Sequence, residues 1–434
     1  MSSENKNRGS VSGISRRNLL KAGGALGMAS LGVTFPAPFV HAAKPIKIGY
    51  VSPRTGPLAF FADSDDFNMG IFKKAFPQGL KIDGKTIPVE FIYKDSQSNS
   101  NRAAEVTADL ILQDGVDIVM ASSTPTTTNP VADQCEINGI PCLTTGTPWQ
   151  PYFFGRGGDP KKPFNWTFHY FWGLEDLIAS HTNLWSLIDT NKMVGALWPN
   201  DDDGNAFGSK TLGFPPALSK SGYTLYDKGR YQTPADDFSS YIIDFKAKNV
   251  DIVTGVMPPP DFANFWSQAG QQGYRPKIVT MPKATEFPAS IAAFGDRAEG
   301  LSSQVAWSAG HPFNSSITGT SAAQIAAQFT AETNRPWNFE LGFRHSLFEL
   351  VVEVMTRAGG PGKPEAIRDA IKALKRPSLV GPIDFSKGPV ANVAKTPLVS
   401  GQWQRRGKSF ELLVVENSLA KDIPLQSKLV PIKY

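Results

Sequence analysis

The chain has 434 residues, two cysteines and a formal charge of +5, from 44 Lys and Arg against 39 Asp and Glu. That length exceeds one ordinary hydrophobic core and suggests two domains. Lys6, Arg8, Arg16, Arg17 and Lys21 stand against only Glu4 in the first 42 residues, so the remainder carries about +1. Bulk charge therefore gives no reason to expect nucleic acid or an anionic membrane surface as partner.

At the N-terminus, Ser15-Arg16-Arg17-Asn18-Leu19-Leu20-Lys21 resembles the bacterial twin-arginine export signal at every position. A Gly- and Ala-rich apolar stretch follows from Ala22 to Val33, too short for the ~20 residues of a membrane span. Val40-His41-Ala42 places small or apolar residues at −3 and −1 of a cut after Ala42. The expectation is a precursor carried by the twin-arginine translocase, with residues 1–42 removed and the mature chain periplasmic.

From Ile46 onward, short β-branched runs alternate with amphipathic stretches. Strands are expected at Ile46–Val51, Ile87–Tyr93, Val116–Met120 and Ile140–Thr144, with helices at about Ser64–Phe76, Asn101–Gln113 and Asn129–Asn138. The rhythm restarts after Trp166, with strands Met193–Trp198, Tyr223–Tyr226, Val250–Gly255 and Lys277–Met281. Helical stretches between them cover Phe207–Lys220, Asp236–Lys248 and Asp261–Gln272. Near-continuous apolar strands alternating with helices predict parallel sheets covered on both faces. Gly115-Val116-Asp117-Ile118-Val119 is echoed by Asn249-Val250-Asp251-Ile252-Val253, which favours two α/β lobes of similar plan. Helices at Ala322–Thr333, Phe339–Arg357 and Glu365–Leu374 follow, then short strands such as Phe410–Val415. Cys135 and Cys142 fall on a helix and the next strand, where they either pair or stay as two buried thiols.

Catalytic signatures are missing from the sequence: no nucleophile elbow, no phosphate loop and no dinucleotide fingerprint. His169, His181, His311 and His345 lack metal-ligand spacing and read as surface or helix-cap residues. Asp201-Asp202-Asp203-Gly204-Asn205 begins like a calcium loop, but Ala206 and Leu212 stand where such a loop needs Gly and Glu, so a helix-capping turn is the better reading. No cofactor, no metal and no enzymatic activity are expected. Two hydroxyl-rich loops end predicted strands, where open α/β sheets bind ligands. Ser122-Ser123-Thr124-Pro125-Thr126-Thr127-Thr128 runs into a helix N-terminus, which suits an anion. Thr144-Thr145-Gly146-Thr147-Pro148-Trp149 lies one strand later.

Ile46-Lys47-Ile48-Gly49-Tyr50-Val51-Ser52-Pro53-Arg54-Thr55-Gly56 resembles the opening strand and loop of type I periplasmic binding proteins, in the branched-chain amino-acid-binding family of ABC transporters. Lys94-Asp95, the Val116–Thr147 segment, Gly295–Gly300 and Gly381-Pro382-Ile383-Asp384-Phe385 match later family landmarks in order. The resemblance implies two Rossmann-like α/β lobes joined by three hinge crossings, near Phe168, Ala306 and Gly381, with a ligand cleft between them. Residues 43–168 and 307–380 would form lobe 1, and 169–306 and 381–434 lobe 2. It implies ligand contacts at Ser122, Ser123, Thr124, Thr126, Gly146 and Thr147. Asp203 and Pro258 stand at positions the family fills with aromatics, and Lys283 or Glu286 stands near its acidic position. Trp149 and Trp172, with Tyr170, Phe171, Trp198 and Trp307, add an aromatic bias suited to a planar acid. The resemblance implies a monomer that captures a small carboxylate-bearing solute, amino acid-like or aromatic, and delivers it to an inner-membrane ABC permease. A ligand-sensing partner of a membrane receptor is the alternative.

Overall fold

The computed structural model describes residues 44–434; the export motif and its cleavage site lie outside them. One sheet has the strand order Val393–Ala394, Thr167–Tyr170, Cys142–Thr145, Ile118–Ser122, Ile46–Ser52 and Val89–Asp95. Every neighbouring pair in it is parallel. The second sheet runs Ser409–Glu416, Val399–Arg406, Ser302–Val305, Ile278–Thr280, Ile252–Gly255, Met193–Pro199 and Thr224–Tyr231. It is parallel from Ser302–Val305 to Thr224–Tyr231, and the last two chain segments add antiparallel strands at its edge. Ile118–Ser122, Cys142–Thr145 and Ile252–Gly255 are buried at every residue, as strands covered by helices on both faces must be.

The sequence echo is a strand-entry device used once in each lobe. Gly115 and Asn249 both turn with φ positive, at 64° and 50°, ending the preceding helix. Two residues on, Asp117 Oδ2 accepts from Lys47 N at 2.9 Å, and Asp251 Oδ2 accepts from Asn191 N at 2.8 Å. Each carboxylate thus fixes the start of the adjacent parallel strand, Ile46–Ser52 or Met193–Pro199.

Three segments join the lobes, and the third differs from expectation. Thr167–Tyr170 is a strand of the first sheet, so the first crossing comes at 171–173, after Phe168. The second follows Val305, close to Ala306. The third is at 395–398, well beyond Gly381. The hairpin Lys375–Ser378 and Gly381–Asp384 instead stays on lobe 1, where Leu379 N donates to Glu349 and Arg376 pairs with Glu353. Val393–Ala394 then add an edge strand to the first sheet before the chain leaves. Lys395, in the third crossing, binds Glu175 at 2.8 Å and Asp176 at 2.6 Å at the start of helix Leu174–Trp185, so the first and third crossings are tied together.

His169, His181, His311 and His345, the four histidines among the described residues, are buried, against the expectation of surface or cap positions. A neutral imidazole offers one donor and one acceptor, which a core can use. His169 bridges Thr144 Oγ1 at 2.9 Å and the Thr147 carbonyl at 2.7 Å, and burial holds its pKa down at about 3. His345 does the same between Ser315 and Asn68. Cys135 and Cys142 are free buried thiols, and burial raises the pKa of Cys135.

Candidate functional site

The C-terminal ends of the parallel strands in both sheets converge on one interlobe cleft. Lobe 1 presents Thr124, Gly146 and Thr147, and lobe 2 presents Asp203, Lys283 and Glu286. Phe171 and Trp172 of the first crossing close one side.

On the lobe 1 wall, Thr124 caps the helix Pro125–Asn138 without a side-chain hydrogen bond of its own. The hydroxyls of Ser123 and Thr147 are buried without a partner, as is Trp172 Nε1. Buried donors of this kind ordinarily find a partner, so the wall holds unspent hydrogen-bonding capacity beside a helix N-terminus. Gly146 makes the close packing here possible. Its φ is +86°, and a Cβ would lie 2.5 Å from Ser122 Oγ and 3.1 Å from Glu340 Oε1.

Ser122 itself turns away from the cleft and donates to Glu340 Oε2 at 2.9 Å. Glu340 lies 3.0 Å from Arg344 Nε, which is also 3.3 Å from Asp65. Arg344 further donates to Tyr50 Oη at 2.8 Å and to the Phe61 carbonyl at 2.9 Å, while Tyr50 and Tyr93 both donate to Asp65. Burial lifts Glu340 to about 7, opposed by Arg344 and Ser122. This network braces the wall from behind and fixes the backbone that carries Phe61, itself a cleft residue.

The lobe 2 wall is ionic. Lys283 Nζ lies 2.5 Å from Asp203 and 3.4 Å from Asp201. Burial disfavours the Lys283 ammonium, but the two carboxylates outweigh it and hold its pKa above the usual value. Burial lifts Asp203 to about 6 against the pull of Lys283. Both therefore stay ionised at neutral pH. Asp201 also caps the helix Asp202–Phe207, accepting from Gly204 N at 2.7 Å, so the acidic run is the capping turn expected from its spacing. Lys283 and Glu286 both face the cleft: Glu286 accepts from Lys283 N at 2.8 Å and from Gln304. Burial lifts Glu286 to about 7, opposed by those two hydrogen bonds.

Of the residues singled out in the sequence, Thr124, Gly146, Thr147, Trp172, Asp203 and Lys283 line the cleft. Ser122 and Ser123 lie behind it. Thr126 and Pro258 do not reach it, and Val256 stands where Pro258 was expected. Trp149 packs against Phe154 and donates to Glu175 at 3.1 Å, facing away. Tyr170 and Trp198 are core, and Trp307, though buried, does not line the cleft. Phe61, Phe207, Gln304 and Phe339 also line the cleft and were not anticipated. Phe61 had a signal: it follows the end of the first strand, where the binding loops of such sheets lie.

The periplasmic binding protein family matches residues 45–408. The chain belongs to that family. Solved structures share the two-lobed fold at low identity. A leucine-binding protein from Thermotoga maritima superposes with a TM-score of 0.70 at 16% identity, covering 86% of this chain and 99% of that one. A solute-binding protein of an ABC transporter from Rhodopseudomonas palustris, solved with 3,4-dihydroxybenzoic acid, gives 0.69 at 18%, covering 86% and 96%. A branched-chain amino-acid transporter substrate-binding protein from Streptococcus pneumoniae, solved with isoleucine, gives 0.67 at 16%, covering 86% and 100%.

Proposed function

We propose that this periplasmic binding protein is the extracytoplasmic substrate-binding component of an ABC importer, capturing a small carboxylate-bearing solute by closure of its two lobes. The chain makes and breaks no bond. One observation carries the reading: at the wall of the interlobe cleft the buried Thr147 hydroxyl and Trp172 Nε1 have no partner, beside Thr124 and the N-terminus of helix Pro125–Asn138. Donors with nothing to bind, at the positive end of a helix, suit a carboxylate.

Closure brings the second wall over the ligand and presents a closed face to an inner-membrane permease. The Lys395 contacts with Glu175 and Asp176 make two of the crossings move as a unit, which favours a hinge over independent segments. Export by the twin-arginine route, with cleavage after Ala42, belongs to the same reading and rests on the leader sequence alone.

Relatives of this fold have been solved with an aliphatic amino acid and with an aromatic acid. The aromatic side of that choice is favoured by Phe61, Phe171, Trp172, Phe207 and Phe339 around the cleft. A thermal-shift screen of the protein against amino acids, aromatic acids and uncharged amides tests the reading. A ligand at 100 times its dissociation constant adds ~2.7 kcal/mol of stability. Stabilisation by amides but by no carboxylate would overturn it.

A further inference from the structure

The cleft is not the largest space at this site. Between the walls just described the free volume is only about 30 Å³, roughly the room of one water molecule. Beside it lies a chamber of about 510 Å³, within the range of ~300–1,000 Å³ usual for small-molecule sites. The two spaces share four wall residues, Trp172, Glu286, Gln304 and Phe339, so they are neighbours across a single partition. An apolar ring needs a cavity of about 150 Å³; the cleft alone does not offer this and the chamber does.

The chamber is built for flat apolar matter. Trp307 and Trp337 meet edge to face at 5.6 Å, and Phe410 and Leu412 of the C-terminal hairpin stand across from them. Trp307 Nε1 donates to the Leu379 carbonyl and Trp403 Nε1 to the Thr285 carbonyl, so both spend their polar edge elsewhere. Trp172 differs. Its Nε1 is buried and has no partner, on the partition itself. A buried indole N–H ordinarily finds an acceptor, and a ligand oxygen passing between the spaces would supply one.

Resting on the carboxylate reading above, we infer that cleft and chamber form one composite site for an aromatic carboxylate longer than a single ring. Its acid group meets the Thr124 and Thr147 wall, and its aryl body passes Trp172 and Phe339 into the chamber. A short aliphatic acid would leave the larger space unused.

The test is titration calorimetry of the full protein with benzoate, 3-phenylpropanoate and biphenyl-4-carboxylate. Biphenyl-4-carboxylate is expected to bind at least tenfold more tightly than benzoate. Ala309→Trp, which fills part of the chamber from a half-buried position outside the cleft, is expected to abolish that gain. Phe410→Ala, an independent change on the hairpin, is expected to weaken only the longer acids. Equal affinities along the series, or a gain that survives Ala309→Trp, overturn the composite site while leaving the carboxylate reading intact. Binding by none of the acids, with stabilisation by neutral amides, overturns both.

Discussion

Replacing Lys283 by Met tests the ionic wall directly. The ammonium is 2.5 Å from Asp203 and 3.4 Å from Asp201, and the Lys283 and Asp203 side chains are only 11% and 5% exposed. Removing one member of a buried pair costs ~3–5 kcal/mol, because the other charge is left uncompensated. Asp203 has a way out, since it can take up a proton. With Lys283 present its pKa is about 6, and the loss of the cation pushes it higher. Between pH 6 and that higher value the variant gains stability as pH falls, because only its folded state binds the proton. Wild type, already ionised in both states, does not. The deficit of Lys283→Met should therefore shrink from pH 8 to pH 6, by at most ~1.4 kcal/mol per unit, and stay level below. Urea unfolding at pH 6, 7 and 8, followed by tryptophan fluorescence, reads this out. Adding Asp203→Asn should recover most of the loss at pH 8. A deficit that is constant with pH and unrelieved by Asp203→Asn would refute the pairing.

Gly146→Ala should cost ~1–3 kcal/mol, since its Cβ would lie 2.5 Å from Ser122 Oγ on a backbone at φ +86°. Adding Ser122→Ala should relieve the clash but not the backbone strain, leaving a melting temperature between single variant and wild type. Trp149→Phe should lower stability by ~1 kcal/mol through loss of its hydrogen bond to Glu175, with the ligand dissociation constant unchanged. Trp172→Phe, in contrast, should weaken ligand several-fold, and equal effects of the two on binding would overturn their assignment to different faces.

The lobes were legible because their strands are short, contiguous and β-branched, and because Asp117 and Asp251 repeat with matched surroundings. The hydroxyl loops were legible because strand ends are where such sheets bind. Long-range partners were not. Lys283 reads as a free cation until the fold brings Asp201 and Asp203 to it from some 80 positions earlier. Ser122 reads as a ligand donor until Glu340, 218 positions later, claims its hydroxyl. Trp149 sits in the right loop, but the short helix Trp149–Phe153 turns its ring toward Phe154. The third crossing was misplaced because Gly381-Pro382-Ile383-Asp384-Phe385 forms a hairpin on lobe 1 and not a passage between lobes. Histidines failed for a plainer reason. Composition says nothing of a core that uses the neutral imidazoles of His169 and His345 as connectors, and burial keeps His169, His181, His311 and His345 all near pKa 3.

The charges around the cleft give the carboxylate reading a sharper consequence. Lobe 1 contributes hydroxyls and a helix N-terminus but no formal charge at the wall. On lobe 2, Asp201 and Asp203 outnumber Lys283, so an anionic ligand faces a surplus of negative charge even before Glu286 ionises. Glu286, at about 7, decides the balance; Glu340 raises it further and Lys283 opposes the rise. An anion bound nearby favours the protonated carboxyl, so its pKa is higher with ligand than without. Above pH 7 the complex must then take up a proton that the free protein lacks, and affinity should fall by up to tenfold per pH unit as pH rises. Below pH 7 Glu286 is already neutral and affinity should level off. Calorimetry in buffers of differing ionisation enthalpy should show uptake of close to one proton at pH 8, and Glu286→Gln should remove both the uptake and the slope. Affinity that is flat from pH 6 to pH 9, or a slope that persists in Glu286→Gln, would show that the acid group of the ligand does not share the cleft with this carboxyl.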